Sequence, residues 1–156
     1  MKRYLPLFFV LLFSHQTFSQ VKTWNGSVST EWNNNANWVP AVKPSAADDV
    51  IIPSAPSNQP TLSINTAVAK SVQVQSGATF TITNSGQLTI NDSKTFTVDG
   101  DTKSAAFQNS GTVENSGRLI LGSTNSIGEY GLWNTATFNN NTGAELVIVN
   151  CDWAAL

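Results

Sequence analysis

Cysteine, histidine and charge are nearly missing from this chain: it has one Cys, one His and only 12% charged residues among 156. A single cysteine, Cys151, excludes a disulfide framework, so apolar burial and backbone pairing must hold the fold. The one histidine, His15, lies beside the apolar N-terminal segment. The chain beyond that segment therefore offers no imidazole base, no His-dependent triad and no histidine zinc ligand. Without a histidine to activate it, Cys151 reads as an incidental or buried thiol rather than a nucleophile. Long apolar runs are absent after Phe13, and no later window sustains a 3.6-residue apolar period. Glu129 to Trp133 is the one stretch that reads as a helical turn.

The N-terminus carries a basic start at Lys2 and Arg3, an apolar core from Leu5 to Phe13 and a polar exit from Ser14 to Gln20. That order reads as a secretory signal peptide, since the run is far short of the ~20 residues a spanning helix needs. Thr17 and Ser19 suit the −3 and −1 positions, placing the cut before Gln20 and the signal peptide at residues 1–19. The mature chain is then the size of one ordinary domain, without a membrane span. Its basic residues, Lys22, Lys43, Lys70, Lys94, Lys103 and Arg118, are scattered against ten acidic ones. Nothing gathers them into a patch, so no nucleic-acid partner is expected.

What the chain does have is a beat. Val72/Val74, Phe80/Ile82, Leu88/Ile90 and Phe96/Val98 are apolar i, i+2 pairs at eight-residue intervals. Such a pair puts both side chains on one face of a strand, so each reads as a short inward-facing strand. Ser76-Gly77, Ser85-Gly86, Asp92-Ser93 and Asp99-Gly100 supply turn chemistry between them. Asn, Ser and Thr make up about a third of the chain. Low charge with alternating β-branched and aromatic residues argues folded β-structure rather than disorder.

Four related units recur, each a small polar residue and Gly, a spacer and a strand pair. They begin at Ser76-Gly77, Asn84-Ser85-Gly86, Asn115-Ser116-Gly117 and Asn141-Thr142-Gly143. Asn109-Ser110-Gly111 repeats the turn with only Val113 behind it. Glycine at these corners is expected to supply positive φ. Two all-β architectures compete. In a short parallel β-solenoid, equivalent strands stack on one another and bury a narrow apolar column. In a β-sandwich, the same strands pair as antiparallel hairpins. The even beat favours the solenoid, whose corners and outer faces also suit ladders of Asn and Thr.

Residues 23–53 are different in kind. Thr23-Trp24-Asn25-Gly26, Trp32 and Asn37-Trp38 give T-W-x-G-x5-W-x4-N-W, followed by Asp48-Asp49-Val50-Ile51-Ile52-Pro53. This opening resembles that of large secreted surface proteins of Bacteroidetes whose repeats are expected to form right-handed β-helices; related G-x-W and N-W patterns occur in autotransporter-type adhesins. The resemblance implies an adhesin-like or structural scaffold without catalysis in this chain, retained outside the cell. It implies as the alternative a non-catalytic front of a larger polysaccharide-degrading or carbohydrate-binding secreted enzyme.

Residues 20–53 are accordingly expected to form a Trp-rich N-terminal cap with the first strand, and 54–156 the repeats. Trp24, Trp32 and Trp38 can each bury roughly 150–250 Å², enough to close one end of a narrow stack. The competing use of the same three rings is a platform on which sugar rings stack. Asp48/Asp49 and Asp99/Asp101 are the close acidic pairs; the first reads as the junction into a strand and the second as a turn. Neither brings enough oxygen ligands for calcium, and no metal or cofactor is implied. The strand at Leu146 to Val149 runs into Trp153 and Leu156, which either cover the last layer or mark the front piece of a longer protein. Glycans or other cell-surface components are the expected partners.

Overall fold

The computed structural model describes residues 19–122 and 130–151. The proposed signal peptide, apart from Ser19, and the C-terminal pair Trp153 and Leu156 lie outside the described residues. The described residues form fifteen strands: β1 (Val21–Trp24), β2 (Trp38–Val39), β3 (Asp49–Ile52), β4 (Thr61–Leu62), β5 (Ala67–Ala69), β6 (Ser71–Val74), β7 (Thr79–Ile82), β8 (Gln87–Ile90), β9 (Lys94–Val98), β10 (Asp101–Asn109), β11 (Thr112–Asn115), β12 (Arg118–Leu121), β13 (Tyr130–Asn134), β14 (Thr137–Asn140) and β15 (Glu145–Ile148). The only helical element among the described residues is one 3₁₀ turn, Asn35–Asn37. Tyr130 to Trp133 lies in β13 and not in a helical turn; Leu132 and Trp133 are buried on its alternate faces, as a strand covered on both sides requires.

The strands form three sheets. The first runs β13-β10-β6-β3-β1-β2 with β9 attached to β10, the second β14-β11-β7-β4 and the third β15-β12-β8-β5. Consecutive strands fall in different sheets in a constant rotation: β3, β4, β5, then β6, β7, β8, then β10, β11, β12, then β13, β14, β15. Every pairing is parallel except β1–β2 and β9–β10. The antiparallel-hairpin sandwich is therefore not the architecture, because from β3 onward the residues joining parallel neighbours of one sheet travel through the other two sheets first.

The eight-residue beat is the step from one sheet to the next, and three such strands make one full rotation. Val72/Val74, Phe80/Ile82 and Leu88/Ile90 are the inward pairs of β6, β7 and β8, all fully buried. In-register stacking then builds columns: Leu88 lies beside Ala67 and Leu119, and Leu119 beside Leu146. The fourth member of the beat departs from the rotation. Phe96 and Val98 sit on β9, which pairs antiparallel with β10 through a two-residue turn at Asp99-Gly100. Both turn residues have positive φ, 51° and 88°, the geometry of a hairpin turn that Asp-Gly favours. Local turn chemistry here overrides the periodicity, and Phe96 joins Ala105 and Trp133 in a small second core outside the main one.

Two strands hid their inward residues from a search for apolar pairs. On β11 the inward positions are Val113 and Asn115, and on β10 they include Phe107 and Asn109. Asn115 aligns with Ile82 and Asn109 with Val74, so buried amide replaces aliphatic in one step along each column. Each asparagine is satisfied. Asn109 Nδ2 donates to Asn134 Oδ1 at 2.7 Å and to the Thr137 carbonyl at 2.8 Å, while its Oδ1 accepts from Gly111 N. Asn115 repeats the pattern with Asn140 Oδ1, the Glu145 carbonyl and Gly117 N. A buried amide is tolerated only when its donors and acceptors are paired, and here they tie one layer to the next.

Candidate functional site

The three tryptophans singled out in the sequence come together, but not as a platform. Trp24, Trp32 and Trp38 are at most 1% exposed. Trp38 meets Trp24 edge-on at 5.0 Å and Trp32 edge-on at 4.7 Å between centroids, and Trp32 reaches Phe80 of the next layer at 5.2 Å. Ala67 and Ala69 stand inward where the next layer carries Leu88 and Ile90, and such small side chains leave volume for the indoles. The indole N–H groups are used internally: Trp24 Nε1 donates to the Asn58 carbonyl and Trp38 Nε1 to the Trp32 carbonyl. Glycan stacking on these rings is corrected by this burial, since a ring packed on both faces has none for a sugar.

The acidic pairs are also engaged in structure. Asp49 opens β3, accepts from Ser71 Oγ at 2.7 Å and lies within 4 Å of the Lys70 and Lys94 ammoniums. Asp48 Oδ2 accepts from the backbone and hydroxyl of Ser45, closing the turn before that strand. Asp99 is the first residue of the hairpin turn and Asp101 opens β10 behind it. Among the described residues no group of three or more His, Cys, Asp or Glu could hold a metal ion. Cys151 is a free thiol packed partly against the main core. No described helix is long and apolar enough to cross a membrane.

Three of the polar repeats converge on one corner. Asn84-Ser85-Gly86, Asn115-Ser116-Gly117 and Asn141-Thr142-Gly143 all connect the second sheet to the third, so they lie one above another. Arg118 crosses this stack, bonding Glu145 at 2.7 Å and approaching Gln87. A shallow groove of about 270 Å³ follows the corner. Gly86 and Gly117 are required here for close approach rather than for positive φ. A Cβ on Gly117 would stand 2.2 Å from the carbonyl oxygens of Gly86 and Thr83, and the Gly86 carbonyl is the acceptor for Arg118 N. Positive φ is found instead at Gly143, in the last described layer of the same corner, and at Gly77, between the first and second sheets.

A second groove, of about 410 Å³, lies between the β9–β10 hairpin and the outer face of the first sheet. Its floor is a row of amides: Gln73 and Gln108 are neighbours in the register of β6 and β10, with Gln75 beyond the end of β6. Thr97, Val98 and Asp99 of the hairpin form the facing wall. Gln108 is fully buried; its Nε2 donates to Ser110 Oγ at 2.7 Å and its Oε1 has no partner. The alternation of Gln73 and Gln75 with Val72 and Val74 marks them as outward residues in the sequence. Their meeting with Gln108 is invisible there, because the hairpin separates the two strands.

The chain belongs to the family described as a domain of unknown function (DUF8693), which matches residues 23–147. That span runs from within β1 into β15, taking in both the tryptophan cluster and the stacked sheets. No curated protein and no solved structure matches the chain.

Proposed function

We propose that this domain is a β-solenoid scaffold of a secreted, surface-located protein, adhesin-like or structural, closed at its N-terminal end by the tryptophan cluster. The carrying observation is the constant rotation of consecutive strands through three parallel sheets in unbroken register. Such a stack propagates stiffness along one axis, because each layer bonds only to its neighbours. Its outer faces carry Asn, Gln, Ser and Thr, which suit weak, repeated contacts with glycans or other surface components. The signal peptide at residues 1–19 and the likeness of the Trp-rich opening to Bacteroidetes surface proteins support the extracellular assignment.

The chemistry of the described residues favours presentation over turnover: the carboxylates of Asp48 and Asp49 are occupied by serine and lysine partners. Incubating the natively secreted protein with a panel of insoluble polysaccharides tests the reading. Retention on a polysaccharide without soluble products is the expected result. Release of soluble sugars would overturn it in favour of the front of a polysaccharide-degrading enzyme. N-terminal sequencing of the secreted product should begin at Gln20.

A further inference from the structure

We infer that the glutamine-floored groove beneath the β9–β10 hairpin is a binding site for a neutral, polyhydroxylated ligand, a saccharide. This goes beyond the scaffold reading, which holds whether or not the groove is filled. The first support is the unpaired amide of Gln108. With Nε2 on Ser110 Oγ, Oε1 is an acceptor without a donor, although the residue is fully buried. Turning the amide over does not help, since Oε1 would then take the Ser110 hydroxyl proton and leave Nε2 without an acceptor. Either way one buried amide atom of this groove-lining residue stays unsatisfied, which is costly unless something from outside completes it.

The second support is the chemistry of the walls. Three carboxamides and the hydroxyls of Ser76, Thr97, Ser110 and Thr135 mix donors and acceptors, matching ligand hydroxyls that both give and take hydrogen bonds. No cation lines the groove and Asp99 does, which disfavours an anion. On the hairpin, Lys103 is turned to the rings of Tyr130 and Trp133 and Lys94 is paired with Asp49. Val98 adds one apolar surface for the C–H face of a sugar ring. The volume of about 410 Å³ falls within the ~300–1,000 Å³ typical of small-molecule sites. The third support is architectural: the hairpin that forms one wall is an insertion between β8 and β10, outside the rotation that builds the stack.

The test uses the ¹⁵N-labelled whole chain, titrated at millimolar concentration with maltose, cellobiose, lactose and N,N′-diacetylchitobiose, and with glucuronate as the anionic counter-probe. At least one neutral disaccharide should shift the side-chain amide signals of Gln73 and Gln108 in a saturable way. Gln108→Leu, which removes the orphan acceptor, should weaken that binding about tenfold. Thr97→Trp, an exposed substitution on the hairpin, should block the groove while leaving the β-sheet circular dichroism unchanged. Should that variant fail to fold, Ser76→Trp repeats the block from an exposed position on the other side. The inference is overturned if no neutral disaccharide moves the Gln108 amide, if glucuronate moves it as strongly, or if a folded blocking variant binds as well as the parent. A stable β-sheet spectrum in the unliganded protein, whatever the titration gives, keeps the scaffold reading separate from this one.

Discussion

The first and last described layers of the stack are built from the same inward-facing pattern and buried to different degrees. At the N-terminal end three indoles are at most 1% exposed, packed edge-on against one another and against Phe80. At the other end Phe138, Leu146 and Ile148 occupy the equivalent column positions and are only partly buried. An inward-pointing residue is thus not buried by its own strand; it is buried by the layer above it. The difference also shows which forces act where. Apolar volume holds the first layers, whereas from β10 onward the buried asparagines at 109 and 115 take over the corner positions and bind layer to layer through amides.

Truncation at the two ends should separate them most sharply. Trp32→Ala empties a site in full contact with Trp38 and Phe80 and should cost about 4 kcal/mol in denaturant unfolding. Phe138→Ala, at the half-buried end, should cost about 1–2 kcal/mol. Equal losses would mean that the C-terminal layer is as well covered as the first.

The stacked glycine corners give the next largest contrast. Gly117→Ala drives a Cβ into two carbonyl oxygens and should cost about 3 kcal/mol by the same measurement. Gly143→Ala meets nothing within 4 Å and has only its φ of +84° to overcome, so about 1–2 kcal/mol is expected. A reversal of that order would show that backbone conformation, not interlayer distance, sets these corners.

Asn115→Ile restores the residue type of the layer beneath, Ile82, and tests whether the amide column matters. It leaves Gly117 N, the Glu145 carbonyl and Asn140 Oδ1 short of a partner, and a loss of about 2 kcal/mol should follow. A neutral or stabilising result would assign the asparagines to specificity of register rather than to stability. The smallest effect belongs to Arg118→Ala, whose ion pair with Glu145 is well exposed on both sides. A change below about 1 kcal/mol, shrinking further at high salt, is expected in thermal melts.

Much of the architecture could be read from the chain before folding. Val72/Val74, Phe80/Ile82 and Leu88/Ile90 mark three strand faces in succession because side chains alternate across a strand. The Asp99-Gly100 turn was legible as a turn, but its consequence was not. Read as a beat, Phe96/Val98 is a fourth face; in the fold it is the arm of a hairpin, since two successive positive-φ residues reverse the chain outright. Asn109 and Asn115 were illegible as core because polarity predicts exposure, and only partners supplied by the following layer overturn that. The sugar platform on Trp24, Trp32 and Trp38 failed for the complementary reason. Spacing shows that aromatic residues cluster, while the side from which they are covered is a property of the assembled layers.

The sequence by itself determined that this is a β-protein without disulfides, built on short strands and polar corners, because alternation and turn chemistry act within a few residues. Tertiary structure decided which strands are neighbours, which asparagines are buried and where the glutamines of β6 and β10 meet. Those outcomes depend on contacts between residues separated by a whole rotation or by the inserted hairpin, and parallel register is fixed only when entire layers pack together.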